Sequence, residues 1–327
     1  MKHISRIVAF SLVAISSATL CRAAENQYHL IKEIPIPGRA QWDYLRVDSD
    51  AQRLYLSHGT KVEVIDLQKG EIVGSIEPTP GVHGMAIVPK IGRVFTSNGQ
   101  ENMASVVDIK TLKTLSKVAT GANPDSILYE PTQNEVYTFN GRGKSATVFG
   151  AESDKVVATI DLGGKAESAA ADGQAGRIYV NIEDKNEVAV IDIKSHTVVA
   201  HWPIAPGQAA TGMAIDLEHH RLFLGCDNKL MVMMDSTNGK VVTTVPVGAG
   251  VDACDFDPAT QLAFSSAGED GTTTIAKETS PDKLTVVQTL KTESGARTMT
   301  LDPKTHNIYL PAPRPAFRVL VYGMDKP

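Results

Sequence analysis

Seven strand signatures at nearly even steps predict an all-β fold, a seven-bladed β-propeller with four-stranded blades. They are Arg53-Leu-Tyr-Leu-Ser-His58, Arg93-Val-Phe-Thr-Ser-Asn98, Glu135-Val-Tyr-Thr-Phe-Asn140, Arg177-Ile-Tyr-Val-Asn-Ile182, Arg221-Leu-Phe-Leu-Gly-Cys226, Gln261-Leu-Ala-Phe-Ser-Ser266 and Asn307-Ile-Tyr-Leu-Pro-Ala312. Their first residues advance by 40, 42, 42, 44, 40 and 46 positions. The turns between strands agree with this reading. Asp257-Pro258 and Asp302-Pro303 set Pro at the second position of a type I turn, and Asn238-Gly239 suits a tight hairpin. With 327 residues, 42% of them hydrophobic, and no linker or composition break, the chain reads as one all-β domain over residues 24–327.

The elements follow in order. Lys2 and Arg6 form a positive start, Ile7–Leu20 is apolar or small, and Cys21-Arg22-Ala23 has the small residues of a signal-peptidase site. Residues 1–23 are therefore expected to be a signal peptide, and the mature protein to be periplasmic or secreted. The apolar run has 14 residues, short of the roughly 20 a membrane-spanning helix needs. Tyr28–Pro37 is an extended, partly alternating run ahead of the first blade.

Residues 83–118 exemplify a blade. His83–Val88 is an apolar first strand, Arg93–Asn98 the second, Ala104–Ile109 the third and Thr114–Val118 the fourth. Third strands recur as Val62–Asp66, Val188–Asp192 and Leu230–Asp235, and fourth strands as Glu71–Ile76, Lys155–Ile160 and Lys240–Val245. Inner strands run apolar without alternation, as in Leu54-Tyr55-Leu56, which is the pattern of strands covered on both faces. The last unit has only three strands, 297–302, 307–311 and 318–322. Tyr28–Pro37 is expected to supply the fourth, closing the ring and removing two open edges.

This repeat resembles the YVTN-type β-propeller repeat family, the YncE-like exported proteins. The matching residues include Arg177-Ile-Tyr-Val-Asn181, Val188-Ala-Val-Ile-Asp192 and Lys155-Val-Val-Ala-Thr-Ile160. The resemblance spans essentially the whole mature chain. It implies a seven-bladed exported propeller, related in shape to quinoprotein and haem-d1 propellers, and carries no catalytic residue over. The chain departs from the pattern at Thr147–Gly150 and Thr272–Lys277, where the Asp ending the third strand is absent.

Aligned repeats place one residue per blade at the start of the innermost strand, facing the axis: Asp43, His83, Asp125, Glu167, Thr211, Asp252 and Arg297. Four carboxylates, an imidazole and a guanidinium at a channel mouth create a focused negative field. Crowded carboxylates raise one another's pKa unless a cation lies between them. Asp43, Asp125, Glu167 and Asp252 offer hard oxygen ligands for a divalent metal, and His83 would admit a transition ion. Trp42, beside Asp43, offers a stacking wall, and His58, Asn98 and Asn140 end second strands at the same rim. The same residues would serve equally as solvated channel lining.

Cleavage after Ala23 moves the net charge from −5 to −8, which argues against broad binding to nucleic acid or anionic lipid. No CxxCH sequence is present, so no haem c is expected. Cys226 and Cys254 read either as a link between adjacent blades or as two small buried side chains. Met231, Met233 and Met234 read as core, and His219-His220 as a solvated turn on the opposite rim. Gly141–Lys144 lacks the spacing of a P-loop, and no serine nucleophile elbow is present.

The leading expectation is a binding module that takes a small polar ligand or a protein partner at the axial rim. The alternative is a metal-assisted hydrolase or lactonase in which His83 is the general base. A redox-cofactor carrier is a third reading.

Overall fold

The computed structural model describes residues 27–325. Seven four-stranded antiparallel sheets form the blades of a β-propeller. Blade 1 comprises Leu45–Asp48, Arg53–His58, Lys61–Asp66 and Glu71–Ile76. Blades 2 to 6 begin at Val82, Pro124, Ala166, Ala210 and Val251, and each runs through four consecutive strands from the axis outward. Blade 7 is assembled from both ends of the chain, in the order His29–Pro35, Arg318–Gly323, Ile308–Ala312 and Thr300–Leu301. The expected N-terminal closing strand is present, pairing His29 with Gly323 and Pro35 with Arg318. The proposed signal peptide lies outside the described residues. Among those residues no helix is long and apolar enough to cross a membrane.

The core explains the uninterrupted apolar strands. It is divided into separate clusters, each shared by two neighbouring blades. Leu54, Leu56 and Ile65 of blade 1 pack on Ile34, Tyr309 and Val319 of blade 7. Tyr55 and Val64, on the other face of blade 1, pack on Val82, Val94 and Val107 of blade 2. The same arrangement continues around the ring. Both faces of the inner strands are thus covered, and a two-residue polar alternation is left to the outermost strands, such as Thr197–Pro203.

One aromatic residue per blade marks the register: Tyr55, Phe95, Tyr137, Tyr179, Phe223, Phe264 and Tyr309 are all buried. Phe264 corrects the sequence alignment. The second strand of blade 6 is Leu262–Ala267, one residue later than the Gln261 start suggested by the repeat. This shift puts Phe264 in the slot held by Tyr55 and Phe95. The first strand of blade 7 is also shorter than expected, Thr300–Leu301 in place of 297–302.

Third strands ending in Asp use that carboxylate to cap the following turn. Asp66 accepts from the backbone N–H groups of Gln68 and Lys69, both at 3.0 Å, and Asp108 does the same for Lys110 and Thr111. Such donors hold the Asp66 and Asp108 carboxyls below their ordinary range. At Gly150, where the Asp is missing, the turn keeps its backbone bonds from Gly150 N to Lys155 O and from Asp154 N to Gly150 O. Met231, Met233 and Met234 are fully buried core residues. Cys226 and Cys254 are free thiols, not a link between blades, and burial pushes both up to about 12.

Candidate ligand site at the axial mouth

A β-bulge sits at the mouth in five consecutive blades. The ladder between first and second strands slips at Val82/Met85, Pro124/Ile127, Ala166/Ala169, Ala210/Gly212 and Val251/Ala253. These slips contain His83, Asp125, Glu167, Thr211 and Asp252. A bulge takes a residue out of the ladder and re-aims its side chain. Asp43 and Arg297 reach the same place from the segments preceding their strands, since blade 1 begins at Leu45 and blade 7 at Thr300.

A relay of side-chain hydroxyls fixes the backbones of these residues. Thr298 of blade 7 donates to the carbonyl of Asp43 at 2.6 Å, and Ser126 of blade 3 donates to that of Glu167 at 2.5 Å. Ser97 donates to the carbonyl of Asp125, Ser168 to that of Thr211 and Ser266 to that of Arg297. Each bond joins one blade to the next. Thr211 spends its own hydroxyl this way, donating to the Val251 carbonyl at 2.8 Å. It belongs to the scaffold of the mouth.

The charged side chains converge. His83 Nδ1 lies 2.6 Å from Asp43 Oδ2 and 3.9 Å from Asp125 Oδ1. Arg297 pairs with Asp252 at 2.5 Å, approaches Asp43 at 3.6 Å, and donates to the Trp42 carbonyl at 2.9 Å. Its guanidinium lies 5.6 Å from the centre of the Trp42 ring, which in turn stacks on Phe317. Trp42 therefore positions Arg297. Glu167 pairs with Lys165 at 2.8 Å, and Lys165 also pairs with Glu183. Asp43 and Asp125 each bring an oxygen, and His83 a nitrogen, within 4.8 Å of one another, a set that could hold a metal ion.

The electrostatics follow from burial and crowding. Burial, with Asp43 nearby, raises Asp125 to about 7. Burial and Asp125 raise Glu167 to about 8, against the pull of Lys165. Burial raises Asp252 to about 6 although Arg297 opposes it. Burial alone would lower His83, but the hydrogen bond to Asp43 and the charges of Asp125, Asp43 and Glu167 outweigh it, so His83 is raised. Below the mouth the throat narrows, lined by Tyr44, Ser126, Ser168 and Cys254, to a cavity of about 30 Å³. That volume is enough for one or two waters.

His58 takes a different part. It is buried, its Nδ1 lies 3.0 Å from Glu63 Oε1, and its Nε2 lies 2.9 Å from the Arg39 carbonyl. Both ring nitrogens are engaged, and the ring packs on Phe317. Asn98 and Asn140 likewise turn inward, Asn98 to Glu101 and Ser105, and Asn140 to Thr147. Sequence reasoning missed Lys165, which sits two residues before Glu167 and offsets part of its charge.

Gly99 admits the His83 ring. A Cβ there would stand 2.7 Å from His83 Nε2 and 2.9 Å from Asn123 Oδ1, closer than real contacts allow. Gly99→Ala is expected to push the ring off Asp43 and lower the His83 pKa toward 6.5. Imidazole titration by NMR checks this, and an unchanged His83 titration would refute it.

No protein family matches the chain, and no curated protein does. Among solved structures the chain is similar to a chain of hydrazine synthase from Kuenenia stuttgartiensis. The TM-score is 0.71 at 14% identity, over 85% of this chain and 95% of that one. A likeness at that identity establishes the fold alone: this is a seven-bladed β-propeller.

Proposed function

We propose that this protein is an exported β-propeller of the YVTN type that works as a binding module. In this reading its axial mouth takes a small polar ligand carrying positive charge, either free or as the basic side chain of a protein partner. The observation that carries the reading is the charge imbalance at the mouth. Asp43, Asp125, Glu167 and Asp252 crowd around His83, Arg297 and Lys165, and three of the four acids are held well above their ordinary range. An incoming cation would relieve both the repulsion and the burial cost. A divalent ion held by Asp43, His83 and Asp125 is one such occupant.

Binding needs only the crowded acids, whereas hydrolysis would also need His83, whose Nδ1 lies on Asp43, to act as a base through Nε2 on a positioned water.

The test uses the mature chain from residue 24, titrated calorimetrically with Mg²⁺, Ca²⁺, Mn²⁺ and spermidine at low and high salt. Binding should be one-to-one and should weaken with salt. It should also fall at least about tenfold in Asp125→Asn/Glu167→Gln, the 1.4 kcal/mol expected for one lost charge contact. If the double variant binds each cation found as well as the parent does, the reading fails.

A further inference from the structure

A second convergence of side chains lies at the opposite rim, between blades 5 and 6. Asp216 ends the first strand of blade 5, Ala210–Asp216, and His219 follows in the turn. Glu278 comes from blade 6, on Thr272–Ser280. That third strand has nine residues where those of blades 1 to 5 have six. The extension falls where the repeat loses its turn-capping Asp.

The position of Glu278 is anomalous for the repeat. Its N–H donates to the Gln261 carbonyl at 2.9 Å. The equivalent bond is made in blades 1 to 5 by Leu67, Ile109, Ala151, Ile193 and Ser236. A carboxylate thus occupies a slot held elsewhere by apolar or small side chains. It is 3% exposed, and neither of its oxygens has a hydrogen-bond partner among the described residues. Asp216 is 1% exposed, and its Oδ2 is likewise unpartnered. His219 Nδ1 lies 2.7 Å from Asp216 Oδ2 and 3.4 Å from Glu278 Oε1, yet is aligned as a hydrogen bond to neither.

Nearby cations do not resolve this. Lys277 donates to the Thr260 carbonyl. Arg221 donates to the carbonyls of Pro281, His219 and His220 and pairs with Asp282 at 3.1 Å. Asp216 Oδ1 accepts from the Glu218 N–H at 2.9 Å, but its Oδ2 and both oxygens of Glu278 have no aligned donor among the described residues, which carries a large desolvation cost. Burial, with Asp216 adding to it, raises Glu278 to about 7.

We propose that Asp216, His219 and Glu278 form a site for a divalent transition-metal ion of the zinc class, clasping blade 5 to the extended hairpin of blade 6. One imidazole nitrogen and two carboxylate oxygens suit zinc. Their three ligand atoms lie within 4.8 Å of one another. A tetrahedral ion with bonds of about 2.1 Å keeps its ligands about 3.4 Å apart. The His219 to Glu278 separation already has that value, and the His219 to Asp216 separation reaches it by a small side-chain rotation. The side chain of His219 is 29% exposed, which leaves a solvent face for a fourth ligand.

The site is tested in the mature chain with the axial mouth disabled by Asp43→Asn/Asp125→Asn. The protein is stripped with EDTA, loaded with zinc chloride and dialysed. Zinc content and the melting temperature with and without zinc are then measured. The disabled protein should retain one equivalent of zinc and melt higher with it. Adding Glu278→Gln or His219→Ala should cost at least about tenfold in affinity and abolish the zinc-dependent rise in melting temperature. Glu278→Gln keeps the side-chain shape and removes a buried charge, so it should fold even where His219→Ala does not. The proposal is overturned if the mouth-disabled protein retains no zinc. It is equally overturned if Glu278→Gln binds zinc and gains stability from it as its parent does. Because the mouth is disabled throughout, failure here leaves the axial reading untouched, and the converse holds.

Discussion

Ile34→Ala is expected to destabilise the protein by about 3 kcal/mol, within the usual range for emptying a buried isoleucine site. Ile34 is 1% exposed and sits in the cluster joining blade 7 to blade 1, among Leu45, Leu54, Ile65 and Val319. Its strand closes the ring from the N-terminal side, pairing along Arg318–Gly323. Losing its packing loosens the closure of the ring as well as leaving a cavity. The chain is fastened there by further contacts: Tyr28 N–H donates to Gln288 Oε1 at 2.9 Å, and its hydroxyl donates to the His306 carbonyl at 2.7 Å. The expected fall in melting temperature is roughly 5 °C for a domain of this size. Ile31, on the same strand but 47% exposed, is the control. Ile31→Ala should stay within about 0.5 kcal/mol of the parent. Equal effects of the two substitutions would show that the closing strand does not hold the ring. Removing the whole strand is expected to leave the Arg318–Gly323 edge unpaired and the chain prone to aggregation.

Stability should fall as pH rises from 5.5 to 8.5 in protein stripped of cations. A carboxyl raised in the folded state holds its proton more tightly there than in the unfolded chain. Its cost therefore grows as pH climbs from the unfolded value to the folded one. Asp125 moves from 3.8 to about 7, Glu167 from 4.5 to about 8 and Asp252 from 3.8 to about 6, so all three act in this window. His83 acts with the same sign. Its contribution is complete below 6.5 and is lost as pH passes upward through its raised folded value. The lowered carboxyls Asp66, Asp108, Asp184, Asp192 and Asp235 act with the opposite sign, but only as pH falls below the unfolded value of 3.8.

Each pKa unit is worth about 1.4 kcal/mol, and neighbouring acids share the effect. The expected total is therefore a few kcal/mol, or roughly 3–6 °C in melting temperature. Asp125→Asn/Glu167→Gln should melt higher than the parent at pH 8 and show a shallower slope. Some slope remains, because Glu278 at the opposite rim is raised to about 7 and acts in the same direction. An identical slope in parent and variant would mean that the mouth acids are not crowded as their geometry indicates. A cation that binds the mouth should restore stability most at high pH, where the acids are ionised.

The amino-acid sequence by itself determined the ring. A strand-built period near 42 residues, apolar strands without alternation and a three-stranded final unit leave few other ways to bury both faces of every blade. It also brought Asp43, His83, Asp125, Glu167, Asp252 and Arg297 onto one list, because residues at equal repeat positions meet at the axis. Tertiary structure decided what those positions do. The bulges that turn four of them into the mouth depend on how each first strand pairs with its neighbour, and a one-residue slip reverses a side chain. The one-residue shift at Leu262 is such a case, and only packing of Phe264 between blades sets it. His58 shares its rim with the mouth residues, but Glu63 and the Arg39 carbonyl take both its nitrogens. His219 reads as a solvated turn in sequence, whereas in the structure it faces two buried acids, Asp216 and Glu278. Glu278 lies about sixty residues further along the chain, and no local pattern encodes a contact that exists only when adjacent blades stack.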